Sequence, residues 1–204
     1  GMEILGTEEI LLDGKLISGK GHKKEKPKPV LLKYYKPRGI ICTTGEKDRG
    51  KNVIEAIGYK ERIYPIGRLD KDSEGLLRLT NQGDLVNQIN KASGYKEKEY
   101  IVSVDKPITK EFLQEMSSGV YLPELERSTR RAVLWQDPKL PKEIQLKQFH
   151  IVLTEGLNRQ IRRMCKALGY EVTRLKRIRV MNIELGKMKP GEYFEIKREE
   201  LELF

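Results

Sequence analysis

The residues with the clearest chemical potential stand together at Gly67-Arg68-Leu69-Asp70, where a carboxylate follows an arginine in a loop bounded by Gly67 and Gly75. A carboxylate so placed can act as a nucleophile or as a base. The same residues serve equally as a loop salt bridge, and the local pattern does not choose between the two. Asp70, Asp72 and Glu74 also imitate the first half of an EF-hand calcium loop. Position twelve of that loop falls on Asn81 instead of glutamate, and Pro65-Ile66-Gly67 makes a poor entering helix. Nothing in the carboxylate spacing selects a glycosidase acid–base pair either. Farther upstream, Gly45 to Lys51 matches the G-x-x-x-x-G-K part of a phosphate-binding loop. Asn52 stands where a Ser or Thr should hold magnesium, and Glu46 and Asp48 would set negative charge against the phosphates. A polar loop is the better reading.

The elements that must position Asp70 are mostly strands. Val30 to Tyr35, Ile40 to Thr44, Leu76 to Thr80, Arg131 to Trp135, Phe149 to Leu153, Arg177 to Glu184 and Glu192 to Ile196 are rich in β-branched, aromatic and leucine residues. Lys98 to Val104 alternates, with Tyr100, Val102 and Val104 on one face. Glu9 to Leu12 and Lys15 to Ile17 flank Asp13-Gly14, a hairpin-turn dipeptide. Short helices are expected over 52–57 and 84–90, and a longer one from Lys110 to Ser117, capped by Thr109 and ended by Gly119. The clearest helix runs from Asn158 to Leu168, with Ile161, Met164, Cys165 and Leu168 on one apolar stripe. Arg159, Arg163 and Lys166 cluster on its far side, and Arg162 lies at the border. Cys165 reads as a core residue. Many strands with few interposed helices argue an α+β fold with a largely antiparallel sheet.

Composition narrows the function classes. The 204 residues carry a net charge of +10, with 34% charged and 38% hydrophobic. No apolar stretch approaches a membrane span, and no apolar h-region opens the chain. Two cysteines far apart fit a reduced, cytoplasmic protein, and two histidines make a histidine-rich metal site improbable. The positive charge is concentrated: residues 20–38 and 156–181 each hold eight basic residues against one acid. Basic excess confined to two segments points to a polyanionic partner. Residues 19–29, rich in Gly, Pro and Lys, read as a linker or basic arm.

Taken together, the motifs resemble those of one family. Gly67-Arg68-Leu69-Asp70 with Ser73, Gly75-Leu76-Leu77 and Leu79-Thr80-Asn81 resembles the signature loop and strand of the RNA pseudouridine synthases, in the branch that modifies small- and large-subunit ribosomal RNA. Lys36-Pro37-Arg38-Gly39-Ile40 is similar to that branch's opening motif, Lys98-Glu99-Tyr100 to its tyrosine motif, and residues 155–164 to its arginine motif. The four stand in the family's order and cover roughly residues 30–196. Residues 158–165 and 176–182 are most similar to a branch member that acts on 23S ribosomal RNA. The resemblance implies the pseudouridine synthase fold: α+β, a mixed, mostly antiparallel central sheet with flanking helices and loops. Family members carry an S4 RNA-binding domain ahead of the catalytic one, and Glu9 to Ile17 resembles only its last β portion. The expected division is therefore a truncated or degenerate S4-like remnant with a basic linker at 1–24 and a catalytic domain at 25–204.

The resemblance also implies isomerisation of uridine to pseudouridine without metal, nucleotide or redox cofactor, by a cytoplasmic monomer that spans no membrane. Its expected substrate is 23S ribosomal RNA, with a tRNA as a second candidate. By motif position Asp70 is the catalytic aspartate, which attacks C1′ or C6 or assists a glycal intermediate. Tyr100 stacks on the base and helps move a proton, and Arg162 pairs with the aspartate. Leu175 packs on the uracil ring, and Arg68 fills the space that an extruded base leaves. Lys36, Arg38, Asn158, Arg159, Arg163 and Arg177 are expected to contact the RNA, the basic ones at its phosphates with Arg174 beside them. Two rival readings are a non-catalytic RNA-binding or ribosome-assembly module and a nucleotide-dependent enzyme built on the Gly45 loop. The joint presence of Asp70, Tyr100 and Arg162 argues against the first, and Asn52 against the second.

Overall fold

The computed structural model describes residues 10–12, 15–18, 27–43, 50–84, 86–87 and 96–197. The near-N-terminal hairpin pairs β1 (Ile10–Leu12) with β2 (Lys15–Ser18) in antiparallel register. The remaining sheet strands are β3 (Leu31–Lys36), β4 (Tyr64–Ile66), β5 (Glu74–Thr80), β6 (Lys98–Val104), β9 (Val133–Trp135), β10 (Gln148–Leu153), β11 (Val172–Val180), β12 (Ile183–Glu184) and β13 (Tyr193–Glu195). A small ladder joins β7 (Tyr121–Leu122) to β8 (Arg127–Ser128). Among the described residues these form a nine-stranded sheet in the order β13-β3-β5-β11-β6-β10-β9, with β12 beside β11 and β4 beside β5. Its pairings are antiparallel except between β5 and β11. A mixed, mostly antiparallel sheet with few helices is what the sequence led one to expect.

Burial explains why these segments pair. Along β6, Val102 and Val104 are fully buried while Ser103 between them is not. They join Phe149, Ile151 and Leu153 of β10 in one core, closed by Phe112 and Met116 of the Lys110–Ser118 helix and by Ile161, Met164 and Cys165 of the Gln160–Ala167 helix. Burial pushes the Cys165 thiol up to about 12, as befits an inert core residue. A second core gathers Leu32 and Tyr34 of β3, Leu77 and Leu79 of β5 and Val53 of the Val53–Ile57 helix. Tyr100 packs against both. The seam between the cores is therefore where the site lies.

One edge of β5 is shared, and this sharing opens the seam. β3 takes one whole edge, from Gly75 to Thr80. On the other, β11 pairs only with Glu74 and Gly75 before it diverges, and β4 takes over from Arg78. The Leu76 carbonyl at the split is satisfied by a side chain instead of a strand: Arg177 Nε donates to it at 2.8 Å. Where a ladder must change partners, a buried backbone acceptor needs such a substitute.

Three departures from the sequence reading have local causes. Ile40 to Thr44 makes no strand within its described part; Ile41 instead bridges Asn52 through loop hydrogen bonds. Asn52 is the N-cap of the Val53–Ile57 helix, its side chain accepting from Glu55 N at 3.0 Å in a complete capping box. β4 was hidden by Pro65, tolerated because this short strand lies off the main path of the sheet. β11 starts at Val172, five residues before the expected Arg177, because Arg174 and Lys176 interrupt the apolar pattern. Residues 19–26 of the predicted linker over 19–29 and residues 45–49 of the Gly45 to Lys51 loop lie outside the described residues, as does most of the expected 84–90 helix. No helix among the described residues is long and apolar enough to cross a membrane.

Candidate active site

Asp70 opens onto a cleft of about 720 Å³ whose lining brings together Arg68, Asp70, Tyr100, Asn158, Arg159 and Leu175, from four separate stretches of sequence. Each is placed by a definite element. Tyr100 stands on β6 opposite Arg177 of β11, and Leu175 stands opposite Val102. Tyr100 is half-buried and Leu175 buried, so they offer an aromatic and an aliphatic surface side by side. Asp70 sits in the tight turn before β5, its carbonyl accepting from Ser73 N at 3.1 Å. Lys71 O accepts from Gly39 N at 2.7 Å, which ties the opening motif to the signature loop. Arg68 is exposed on the cleft wall, and Arg177 Nη1 donates to its carbonyl at 3.1 Å.

The arginine motif is braced independently. Gln160 is buried, its amide oxygen accepting from Leu157 N and its Nε2 donating to Glu155 Oε1 at 2.8 Å. Arg159, in left-handed backbone conformation at the helix N-cap, reaches back over the signature loop. Its guanidinium grips Asp72 with two hydrogen bonds of 3.0 and 2.8 Å and lies 3.9 Å from Asp70 Oδ2. The Arg159 hydrogen bond, supported by the Arg162 charge, holds the Asp72 carboxyl below its usual range.

Arg162 departs from its expected role. Its ion-pair partner is Asp72, with Nε 3.5 Å from Oδ2, and it donates to Asp72 O at 3.1 Å, Ser73 Oγ at 3.2 Å and Val172 O at 3.4 Å. The close cation to Asp70 is Arg159. Arg162 instead pins the 72–73 turn to the start of β11, and so aims Asp70 through the backbone. Asp72, which the sequence reading left unassigned, is the hub on which both arginines meet.

Two expected RNA contacts, Lys36 and Arg177, are corrected by burial and bonding. Lys36 is fully buried, and its Nζ donates to Pro37 O and Ile40 O, both at 2.8 Å, so it cannot reach a phosphate. Arg177 is buried with its Nε and Nη1 on the carbonyls of Leu76 and Arg68. Arg163 lies outside the cleft lining, bonded to Asn158 O at 2.9 Å and 3.6 Å from Glu124. Arg174 is paired with the buried Glu74 carboxylate at 2.6 Å, whose Oε1 also accepts from Tyr35 Oη. Arg38 and Asn158 are exposed, and Arg159 is exposed with its guanidinium on Asp72.

Lys36 carries a pH signature. Burial pushes its ammonium down to about 8, against the opposing pull of Asp70 and Asp72. Between that value and the usual 10.5 the unfolded chain binds more protons than the folded one, so stability rises with pH across this window. Relative to Lys36→Met, the native chain is expected to gain stability from pH 8 upward, by at most about 1.4 kcal/mol per pH unit. Parallel urea curves of the two proteins at pH 7 and 9.5 would show it; a difference that stayed constant with pH would contradict the buried ammonium.

The site can also be compared with known proteins. Residues 30–167 match the family model of RNA pseudouridylate synthase. The dual-specificity RNA pseudouridine synthase RluF of Salmonella typhi is 44% identical over 201 residues, covering 98% of this chain and 65% of the relative, so the chain spans just under two thirds of that protein. Ribosomal large subunit pseudouridine synthase B of Bacillus subtilis is 34% identical over 203 residues, covering 98% of this chain and 79% of the relative. A crystal structure of a pseudouridylate synthase superposes with a TM-score of 0.75 at 24% identity, over 98% of this chain and 82% of the other, which establishes the shared fold.

Proposed function

This chain belongs to the RNA pseudouridylate synthase family, and from that premise we propose that it isomerises uridine to pseudouridine in 23S ribosomal RNA, with Asp70 as the catalytic carboxylate. The observation that carries this reading is the convergence of Asp70, Tyr100 and Leu175, three motif positions far apart in sequence, on one cleft. In this reading the uracil ring lies between the phenol of Tyr100 and the leucine, facing Asp70. The reaction breaks the N1–C1′ bond, turns the base, joins C5 to C1′ and returns the C5 hydrogen to solvent as a proton, while N1 gains one. Asp70 engages C1′ or C6, or takes the proton that a glycal route releases. Tyr100 holds the ring during its rotation. No atom is gained or lost overall, and the residues named here supply the groups the reaction uses.

The target base must leave its stack, at a cost of a few kcal/mol. Arg68, exposed at the cleft mouth, is suited to fill the space it vacates. The exposed Arg38, Asn158 and Arg159 meet the flanking backbone, and the β1–β2 hairpin is read as the last β portion of an S4-like RNA-binding domain. The protein acts as a monomer in this account. With about two to three phosphate contacts, RNA affinity should fall about 10- to 40-fold between 50 and 200 mM salt. A filter-binding titration that found affinity unchanged over this range would contradict a phosphate-held complex. The direct test is tritium release from ribosomal RNA carrying C5-tritiated uridine: release is expected, and its absence with RNA binding intact would favour a pure binding module.

A further inference from the structure

Two carboxylates stand two residues apart in the signature loop, and one guanidinium reaches both. Arg159 gives Asp72 two hydrogen bonds, at 3.0 and 2.8 Å, but stops 3.9 Å from Asp70 Oδ2. Among the described residues no group donates a hydrogen bond to the Asp70 carboxylate, and Asp72 supplies every hydrogen bond of the Arg159 side chain. The hydrogen bond to Asp72 is what raises the Arg159 guanidinium, against desolvation, and the Asp72 charge acts on it ahead of the Asp70 charge. Asp70 is thus the next anion in line for Arg159.

This uneven pairing bears on the chemistry. A guanidinium that grips a carboxylate through two parallel hydrogen bonds occupies both oxygens and favours the charged form. A carboxylate that must attack carbon or accept a proton needs an oxygen lone pair facing the substrate. Asp72 is itself held in place from the other side. Arg162 lies with Nε 3.5 Å from Asp72 Oδ2 and is anchored by Val172 O, Asp72 O and Ser73 Oγ, so it cannot follow Arg159 if that residue moves. The turn does not depend on the Asp72 carboxylate. It is closed by Ser73 N on Asp70 O and tied by Gly39 N on Lys71 O and by Arg162 on Asp72 O.

We propose that Asp72 is a positioning residue for the isomerisation: it holds the Arg159 guanidinium off Asp70, so that the catalytic carboxylate keeps its oxygens free for the uridine. This role rests on the reading of Asp70 as the catalytic carboxylate and adds the group that keeps it available. Without the Asp72 charge, Arg159 swings the short distance onto Asp70 and caps it.

The test measures single-turnover tritium release from ribosomal RNA carrying C5-tritiated uridine, at saturating enzyme. It compares the native chain, Asp72→Asn, Arg159→Gln and the double variant. Asp72→Asn keeps the size of the side chain and an acceptor oxygen but loses the charge. Its maximal rate should fall about 10- to 100-fold, while the enzyme concentration that gives half the maximal rate stays within a few fold of native. Adding Arg159→Gln should recover most of that loss, to within about threefold of Arg159→Gln alone, because the arginine that would cap Asp70 is gone. Asp72→Glu, which retains the charge, should stay within about tenfold of native. If Asp72→Asn does not fold, the double variant and Asp72→Glu carry the same comparison, and a folded double variant slower than about a tenth of Arg159→Gln would overturn the proposal. An Asp72→Asn rate within about threefold of native would overturn it too. So would a slow Asp72→Asn that Arg159→Gln does not accelerate, the behaviour of a residue that only shapes the loop. All these outcomes leave the isomerase reading standing; a native chain that binds RNA but releases no tritium would remove that reading and this role with it.

Discussion

Asp70→Asn should release no measurable tritium from ribosomal RNA carrying C5-tritiated uridine, even at saturating enzyme, a loss of about 10⁴-fold or more. The magnitude follows from what the substitution removes. Asparagine keeps the size of the side chain and its hydrogen-bonding oxygen, yet it is neither a nucleophile at carbon nor a base. The fold has little stake in the carboxylate itself. Its ion pair with Arg159 is long, at 3.9 Å, and both side chains are about a third or more exposed, so the stability change should stay within about 1 kcal/mol. The turn is held by the Asp70 carbonyl, which the substitution leaves in place. RNA affinity should remain within a few fold of native, because removing a negative charge does not weaken a phosphate contact. Folded Asp70→Asn protein that still released tritium at a rate within tenfold of native would move the chemistry to another group. Asp72 would be the first candidate, although its two arginines occupy it.

What was readable in the sequence divides along local and tertiary lines. β6 was bounded to the residue, because the Tyr100, Val102, Val104 alternation is a local signal of a half-buried face. The Gln160–Ala167 helix was found within two residues at its start and one at its end, since its apolar stripe repeats at helical spacing. Thr109 caps its helix as expected, accepting from Phe112 N at 3.0 Å. The motifs led to the residues that meet in the cleft, but not to how each is used. Lys36 was expected to bind RNA because sequence shows charge and not burial. Arg177 is consumed by a carbonyl left open where two strands share an edge, a feature that exists only once the sheet has formed. Arg162 was expected on Asp70; its true partner, Asp72, lies two residues on, a distinction set by the turn geometry of residues 70–73.

Gly75→Ala should cost about 3–5 kcal/mol, the largest stability loss at any exchange of one methyl group in the site's framework. Two penalties coincide there. The backbone has φ +111°, a conformation that side-chain-bearing residues rarely adopt, and a Cβ would collide with the Arg177 carbonyl oxygen and lie 2.7 Å from Arg177 N. Those atoms belong to the backbone of the central strand β11, which cannot yield without giving up its pairing with β5. Gly67→Ala is the internal control, since Gly67 also has positive φ, +78°, but its Cβ would meet nothing within 4 Å. It should lose only the conformational part, about 1–2 kcal/mol. In a domain of this size the Gly75 variant should melt about 10 °C or more below native, and urea midpoints should rank native, Gly67→Ala, Gly75→Ala. Equal losses at the two glycines would mean that the approach of β5 to β11 is not close. The splice that holds Arg177 on Leu76 O and Arg68 O would then not be what sets the Asp70 loop, because that loop enters β5 at this contact.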